Sequence, residues 1–196
     1  MNPGEIKKFN QTADNKLDTT TEPTTDGCVT GYEAVENADG TYGVERIKVA
    51  QIGENKYETL AAAFAAAVTG DEIIVIEDVA LTADDTVAAA SDGKAVLLAV
   101  ENKDITLNLN GKKIRVIYEK TEEADRLYAV VYVEDGASLT VTGNGTIDVT
   151  ADTTTPRVAY LFWKRGTTGS LTIENGTYHM NHSEDSMIYT NGDPQS

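Results

Sequence analysis

A strand motif that recurs about every thirty residues constrains the fold of this chain more than any other feature. The motif reads ITLNL, LTVTG and LTIEN in its three copies, and it alternates apolar residues with Thr or Asn. Alignment of the copies places Leu107, Val141 and Ile173 in register, 34 and 32 residues apart. A variable period of roughly thirty residues is typical of repeat architectures in which each turn has its own loop insertions.

Each copy of the motif follows a second apolar run, at residues 95–100, 129–133 and 160–163. A single turn of this kind cannot bury its Leu, Ile and Val side chains, whereas stacked turns pair their backbones and form a continuous core. The repeat therefore predicts an all-β chain folded as a right-handed parallel β-helix, a solenoid, over residues 49–196. A β-sandwich is the less favoured alternative, because it would show hairpins every 8–12 residues without the repeated motif.

A helix is predicted at the start of the repeats, over residues 57–68. Leu60, Phe64 and then Ala67 or Val68 follow the spacing of one apolar helical stripe. The intervening alanines favour the helical state and keep the helix thin enough to lie close to a sheet. Gly70 is the expected stop signal. We expect this helix to cap the first turn.

Two segments precede the repeats. Residues 1–27 are polar and rich in Thr, Asp, Asn and Lys, which predicts a flexible tail or linker, or an anchor that orders only against a partner. Residues 28–48 form a lead-in β segment. Within it, two short strands are expected around an Asn-Ala-Asp-Gly turn, where Gly40 supplies the positive φ angle.

Charge and composition exclude several classes of function. Thirty-two acidic against sixteen basic residues give a net charge of −16, which repels nucleic acid and anionic lipid. The same charge attracts divalent cations. No stretch approaches the roughly 20 apolar residues that a membrane span needs, and the N-terminal lysines precede no apolar run of the kind found in secretory signals. Cys28 is the only cysteine, so an internal disulfide is excluded.

The run from Val49 to Val79 resembles a known family. It contains a Tyr-x-x-Leu-x-x-Ala helix pattern, then Gly-Asp and an apolar strand. This order is similar to the opening of pectate-lyase-like β-helix domains in surface proteins of gut bacteria and their phages. The repeated ITLNL and LTIEN strands resemble the turns that follow in that family. The resemblance covers about residues 28–196 and implies a fold more than an activity, because such domains serve lyases, hydrolases, adhesins and viral spikes.

The resemblance implies two alternative kinds of catalytic site. A lyase acting on uronates would need acidic residues for Ca²⁺ and a Lys or Arg base, and the candidates are Asp148, Asp152 and Lys164. An inverting hydrolase would need carboxylates about 6.5–9.5 Å apart, for which Asp135 and Asp185 join Asp148. Ordinary surface residues of a repeat protein are the alternative interpretation for all of them.

Two further groups are candidates for binding. His179 and His182 could hold a transition metal, although a spacing of three places them on opposite faces of a strand. The Tyr160-Leu-Phe-Trp run offers Tyr160, Phe162 and Trp163 as a stacking platform for sugar rings. Packing of alternate residues inside the fold is the competing interpretation of that run.

The sequence thus favours a non-enzymatic projecting protein over an enzyme. We expect a phage head fibre, spike or decoration subunit, or the equivalent adhesin domain, at a virion or bacterial surface outside the cell. The expected partners are further copies of the chain, with a trimer favoured, or a larger assembly contacted through residues 1–27, and a surface glycan. The last repeat carries no capping segment, and this open end also predicts assembly. A polysaccharide lyase or glycoside hydrolase is the alternative.

Overall fold

The computed structural model describes residues 31–89, 93–118, 126–149, 158–180 and 186–191. The tail at residues 1–27 lies outside these ranges. The chain divides into two units between Ile47 and Lys48. The strands, in chain order, are β1 Tyr32–Glu36, β2 Tyr42–Arg46, β3 Ala50–Ile52, β4 Asn55–Tyr57, β5 Glu72–Val75, β6 Val79–Thr82, β7 Val87–Ala88, β8 Ala95–Val100, β9 Asp104–Asn108, β10 Lys113–Ile117, β11 Leu127–Val133, β12 Ser138–Thr142, β13 Thr146–Val149, β14 Val158–Arg165, β15 Ser170–Ile173, β16 Thr177–Met180 and β17 Ser186–Asn191.

The first unit contains the expected hairpin. Strands β1 and β2 pair antiparallel, with Tyr32 opposite Arg46 and Glu36 opposite Tyr42. Gly40 has φ = +80°, as the turn requires. Asp39 accepts hydrogen bonds from the backbone and hydroxyl of Thr41, which closes the turn.

The second unit contains three sheets. The six-stranded sheet has the order β15-β12-β9-β5-β3-β4, the five-stranded sheet β17-β14-β11-β8-β7, and the four-stranded sheet β16-β13-β10-β6. Successive triplets of strands, such as β12, β13 and β14, therefore contribute one strand to each sheet. The predicted register is confirmed, because Val141 pairs in parallel with Leu107 on one side and with Ile173 on the other.

The prediction of a right-handed parallel β-helix is wrong. With the β1–β2 hairpin, the described strands form four sheets, and they do not close into a solenoid. Two of the sheets are mixed, because β3 pairs antiparallel with β4 and β5, and β7 pairs antiparallel with β8. The physical reason is local: a tight turn with Gly53 at φ = +56° reverses the chain between β3 and β4, so these strands form a hairpin instead of a further parallel turn.

The predicted helix is present but shorter than expected. Helix α1 spans Leu60–Ala66, and Thr59 caps its N-terminus by accepting a hydrogen bond from the Ala62 N–H. Tyr57 belongs to β4, and Ala67 is already extended at φ −60° and ψ 141°. Because the helix ends at Ala66, two residues before its predicted end, Val68 is 64% exposed and does not continue the apolar stripe.

One apolar core connects the three sheets and α1. Its members include Leu60 and Phe64 of the helix, Leu107, Val141 and Ile147, all at most 2% exposed. Helix α1 packs against β3, β4, β5 and β8. Burial of this kind stabilises the fold by roughly 25 cal/mol per Å² of apolar surface removed from water.

Candidate functional site

An aromatic cluster, largely buried, lies on the five-stranded sheet outside the main core. Register pairing brings Tyr132 beside Trp163, and Trp163 beside Tyr189, on strands β11, β14 and β17. Tyr128 and Tyr160 complete the cluster. The period of about thirty residues that predicted the sheet register also relates Tyr132 to Trp163, whereas only residues of β14 were predicted to form a platform.

Trp163 lies at the centre of the cluster. Its ring centroid is 5.0 Å from that of Tyr132 in an edge-to-face arrangement, and 6.3 Å from those of Tyr128 and Tyr160. The indole N–H donates to Asn191 Oδ1 at 2.9 Å. Trp163 is only 3% exposed. It supports the cluster and offers little of its surface to a ligand.

Cationic side chains lie over two of these rings. Lys94 Nζ is 4.5 Å from the Tyr128 centroid and 5.0 Å from that of Trp163, and the Arg126 guanidinium is 5.2 Å from Tyr128. Such contacts contribute about 0.5–1 kcal/mol at exposed sites. They hold the lysine and arginine against the sheet at the border of the cluster.

Tyr160 and Tyr189 form the accessible part of the cluster. Their rings stack with centroids 4.5 Å apart and planes 10° apart. Tyr160 is half-buried, and Tyr189 is 38% exposed although Tyr160 covers one of its faces. Tyrosine combines a flat apolar face with a polar hydroxyl, which suits it to contacts that are partly wet.

The three residues predicted to form a sugar platform therefore have different environments. Tyr160 lies in the accessible pair. Phe162 is fully buried in the main core, where its ring meets that of Tyr178 edge-on at 5.7 Å. Strict alternation along β14 is broken, because Leu161 and Phe162 both belong to the main core while Trp163 belongs to the outer cluster. A sugar-binding role stays a prediction, and Tyr189 replaces Phe162 as the accessible partner of Tyr160.

The candidate acid and base residues are separated. Asp148 lies on β13 of the four-stranded sheet, where its Oδ2 is 2.7 Å from Lys113 Nζ. Lys164 lies on β14 of the five-stranded sheet and is 6% exposed. Asp152 and Asp185 lie outside the described residues.

Asp135 and Lys164 do lie near each other, but both serve the turn that precedes β15. Lys164 Nζ donates to the carbonyl oxygens of Arg165 and Thr168. Burial lowers the pKa of Lys164 below its usual range, and the negative charge of Asp135 opposes this shift. Asp135 Oδ1 accepts hydrogen bonds from the hydroxyl and the backbone N–H of Thr168, at 2.7 and 2.8 Å, and these bonds lower the pKa of Asp135.

Of the two histidines predicted to bind a metal, the structure describes one. His179 is exposed on β16, next to Asp148 in register on the outer face of the four-stranded sheet. His182 lies outside the described residues. Within the described ranges, no three His, Cys, Asp or Glu side chains are grouped so that they could hold a metal ion. In the described ranges, no helix is long and apolar enough to cross a membrane.

Comparison of the chain with protein-family models, with curated proteins and with solved structures gives no match. The resemblance to pectate-lyase-like domains therefore rests on the quoted sequence patterns alone.

Proposed function

We propose that this protein is a non-enzymatic structural and attachment protein of a virion or bacterial surface, which contacts a surface glycan through its aromatic cluster. The stacked Tyr160–Tyr189 pair is the observation on which this proposal rests. Trp163 lies against Tyr160, with ring centroids 6.3 Å apart, so the pair meets a ligand with little loss of side-chain freedom.

The positions of the acid and base candidates support a role without catalysis. A general base has to reach its substrate within hydrogen-bonding distance, but the Lys164 ammonium is buried and donates to two carbonyl groups. Asp148 is paired with Lys113 on a different sheet. Neither group is placed to act with the other on one glycosidic bond.

Glycan binding can be tested with the full chain on an array of bacterial capsular and cell-wall polysaccharides. We expect Tyr189→Ala to weaken binding of any retained glycan at least tenfold, since one ring face is lost. Tyr32→Ala is the matched control, because Tyr32 is a half-buried tyrosine of the separate hairpin unit.

The same polysaccharides also test for catalysis. After prolonged incubation with Ca²⁺, we expect neither new reducing ends nor unsaturated uronates. Product formation that disappears in Lys164→Met or Asp148→Asn would overturn the proposal in favour of an enzyme. Binding that Tyr189→Ala leaves unchanged would place the glycan contact elsewhere and overturn the assignment of this site.

A further inference from the structure

The inward apolar side chains of the outermost triplet, β15, β16 and β17, are less buried than their partners in the neighbouring triplet. The pairs in register are Leu171 with Leu139, Ile173 with Val141, Tyr178 with Ile147, Met180 with Val149, and Ile188 with Phe162. The second member of every pair is at most 1% exposed. The first members are all partly exposed, and Ile188 reaches 48%.

Exposed apolar surface is concentrated on one of these strands. Among the described residues, five large hydrophobic side chains are exposed, and three of them are consecutive on β17: Met187, Ile188 and Tyr189. Each strand of the triplet is also the last in its sheet. Its outer row of backbone N–H and C=O groups therefore has no strand partner in the described part of the chain, and such an edge is a template for further pairing.

The triplet is also free of charge. The sequences SLTI, TYHM and SMIYTN contain no Lys, Arg, Asp or Glu, in a chain of net charge −16. Charged side chains, especially Lys, are the usual protection of an exposed strand edge. Two copies of so acidic a protein repel each other over most of their surface. Within these strands a second copy meets no like charge, and Glu174, exposed directly after β15, is the described acidic residue next to them.

We propose that β15, β16 and β17 form a self-association surface, at which two copies of this chain meet about a two-fold axis. An identical patch on both copies is self-complementary in a two-fold dimer, and strand edges pair because each presents both donors and acceptors. The second copy covers Leu171, Ile173, Met180 and Ile188. The proposed structural role requires an assembly surface, and the assignment of β15–β17 as that surface rests on the proposed role.

The test is the mass of the full chain in solution, measured by light scattering and by sedimentation over a range of concentrations. We expect a species of about twice the 21.0 kDa chain mass at tens of micromolar. Ile188→Lys should weaken the association at least tenfold, because an ammonium group then has to be desolvated at the interface. Val68→Lys is the matched control and should leave it unchanged, since Val68 is 64% exposed outside the triplet.

Met187→Lys is a second variant on the β17 edge that keeps the inward side chains, and it should also weaken association. Circular dichroism checks that each variant is folded. A monomeric parent chain, a trimer, or a dimer that both edge variants retain would overturn the proposal. Glycan binding is measured separately, on the parent chain, because Tyr189 itself lies on β17. A dimer that binds no glycan would therefore refute the proposed attachment role and leave the self-association surface in place.

Discussion

Helix α1 and the triplet β15–β17 border the same core in opposite ways. On α1, Leu60, Ala63 and Phe64 are buried against the sheets, and its exposed face is made mostly of alanine. On β15–β17, the side chains that continue the core stay partly exposed. A local helix therefore completes the core on one side, whereas the same apolar pattern on the other side needs something further to cover it.

The backbone polar groups of α1 and of β15–β17 also differ in their hydrogen-bond partners. The N-terminus of α1 is capped by Thr59, and the carbonyl oxygens of Phe64 and Ala67 accept hydrogen bonds from Lys103 Nζ. Unpaired backbone groups at helix ends are costly when they are buried, so such partners are expected. The outer backbone groups of β15–β17 have no strand partner in the described residues, and one of them, the Ile188 carbonyl, accepts a hydrogen bond from the Ser186 hydroxyl.

The largest expected effect comes from shortening equivalent leucines in two triplets. Leu139→Ala should lower the free energy of unfolding by about 2–5 kcal/mol, because Leu139 is fully buried and a cavity remains. Leu171→Ala should lower it by less than about 1.5 kcal/mol, since its site is partly open to water. Urea unfolding at a concentration where the chain is monomeric gives both values.

The losses caused by Leu171→Ala and Leu139→Ala should also depend differently on protein concentration. If a second copy covers Leu171, the loss caused by Leu171→Ala should increase as dimer forms, while that of Leu139→Ala should not change. Equal losses at low concentration would show that the single chain already buries both leucines, contrary to the difference proposed between the triplets.

A smaller effect is expected at the C-terminus of α1. Lys103→Met keeps the aliphatic part of the side chain but removes the ammonium donor to two helix carbonyls. The expected loss in the free energy of unfolding is about 2 kcal/mol, as for hydrogen bonds to a charged group. Lys56→Met on the exposed strand β4 is the control and should change stability by less than about 0.5 kcal/mol. If Lys103→Met lowered the free energy of unfolding no more than Lys56→Met does, the cap would add nothing to the stability of the core next to α1.

The sequence predicted those parts of the fold that follow from a repeated local pattern. Leu107, Val141 and Ile173 pair as expected, because a shift by one residue would turn every inward apolar side chain outward. Alanine content and the Leu60–Phe64 spacing located the helix. Its end was misplaced because Ala67, a good helix former, adopts an extended conformation that only the tertiary structure determines.

The sheet arrangement and the site were less predictable, for physical reasons. Short antiparallel strands such as β4 and β7 contain only a few residues and have no period to detect. In β14, two consecutive inward residues break the alternation, so Phe162 is buried and Lys164 occupies a position in register with the buried Val133. A period of two cannot anticipate such a break, and it could not distinguish Tyr160 from Phe162 as a ligand-facing residue.

The smallest expected effect is the pH dependence of the turn that holds β15 in place. Hydrogen bonds from Thr168 lower the pKa of Asp135 in the folded chain. The carboxylate therefore stabilises the fold above the unfolded-state pKa of about 3.9, and this stabilisation is lost as the pH falls through the lower folded-state value. Urea unfolding of the parent chain and Asp135→Asn should differ at pH 7 and converge in acid.

Asp39→Asn is the matched control, because Asp39 also accepts two hydrogen bonds from a threonine, in the hairpin unit. Amide hydrogen exchange distinguishes the two sites. Asp135→Asn should speed the exchange of the Ser170 amide of β15, which donates to the Ala137 carbonyl just before β12, whereas Asp39→Asn should leave it unchanged. If both variants left β15 equally protected, the edge would be held by its ladder to β12 alone, and the turn could be excluded as a source of its stability.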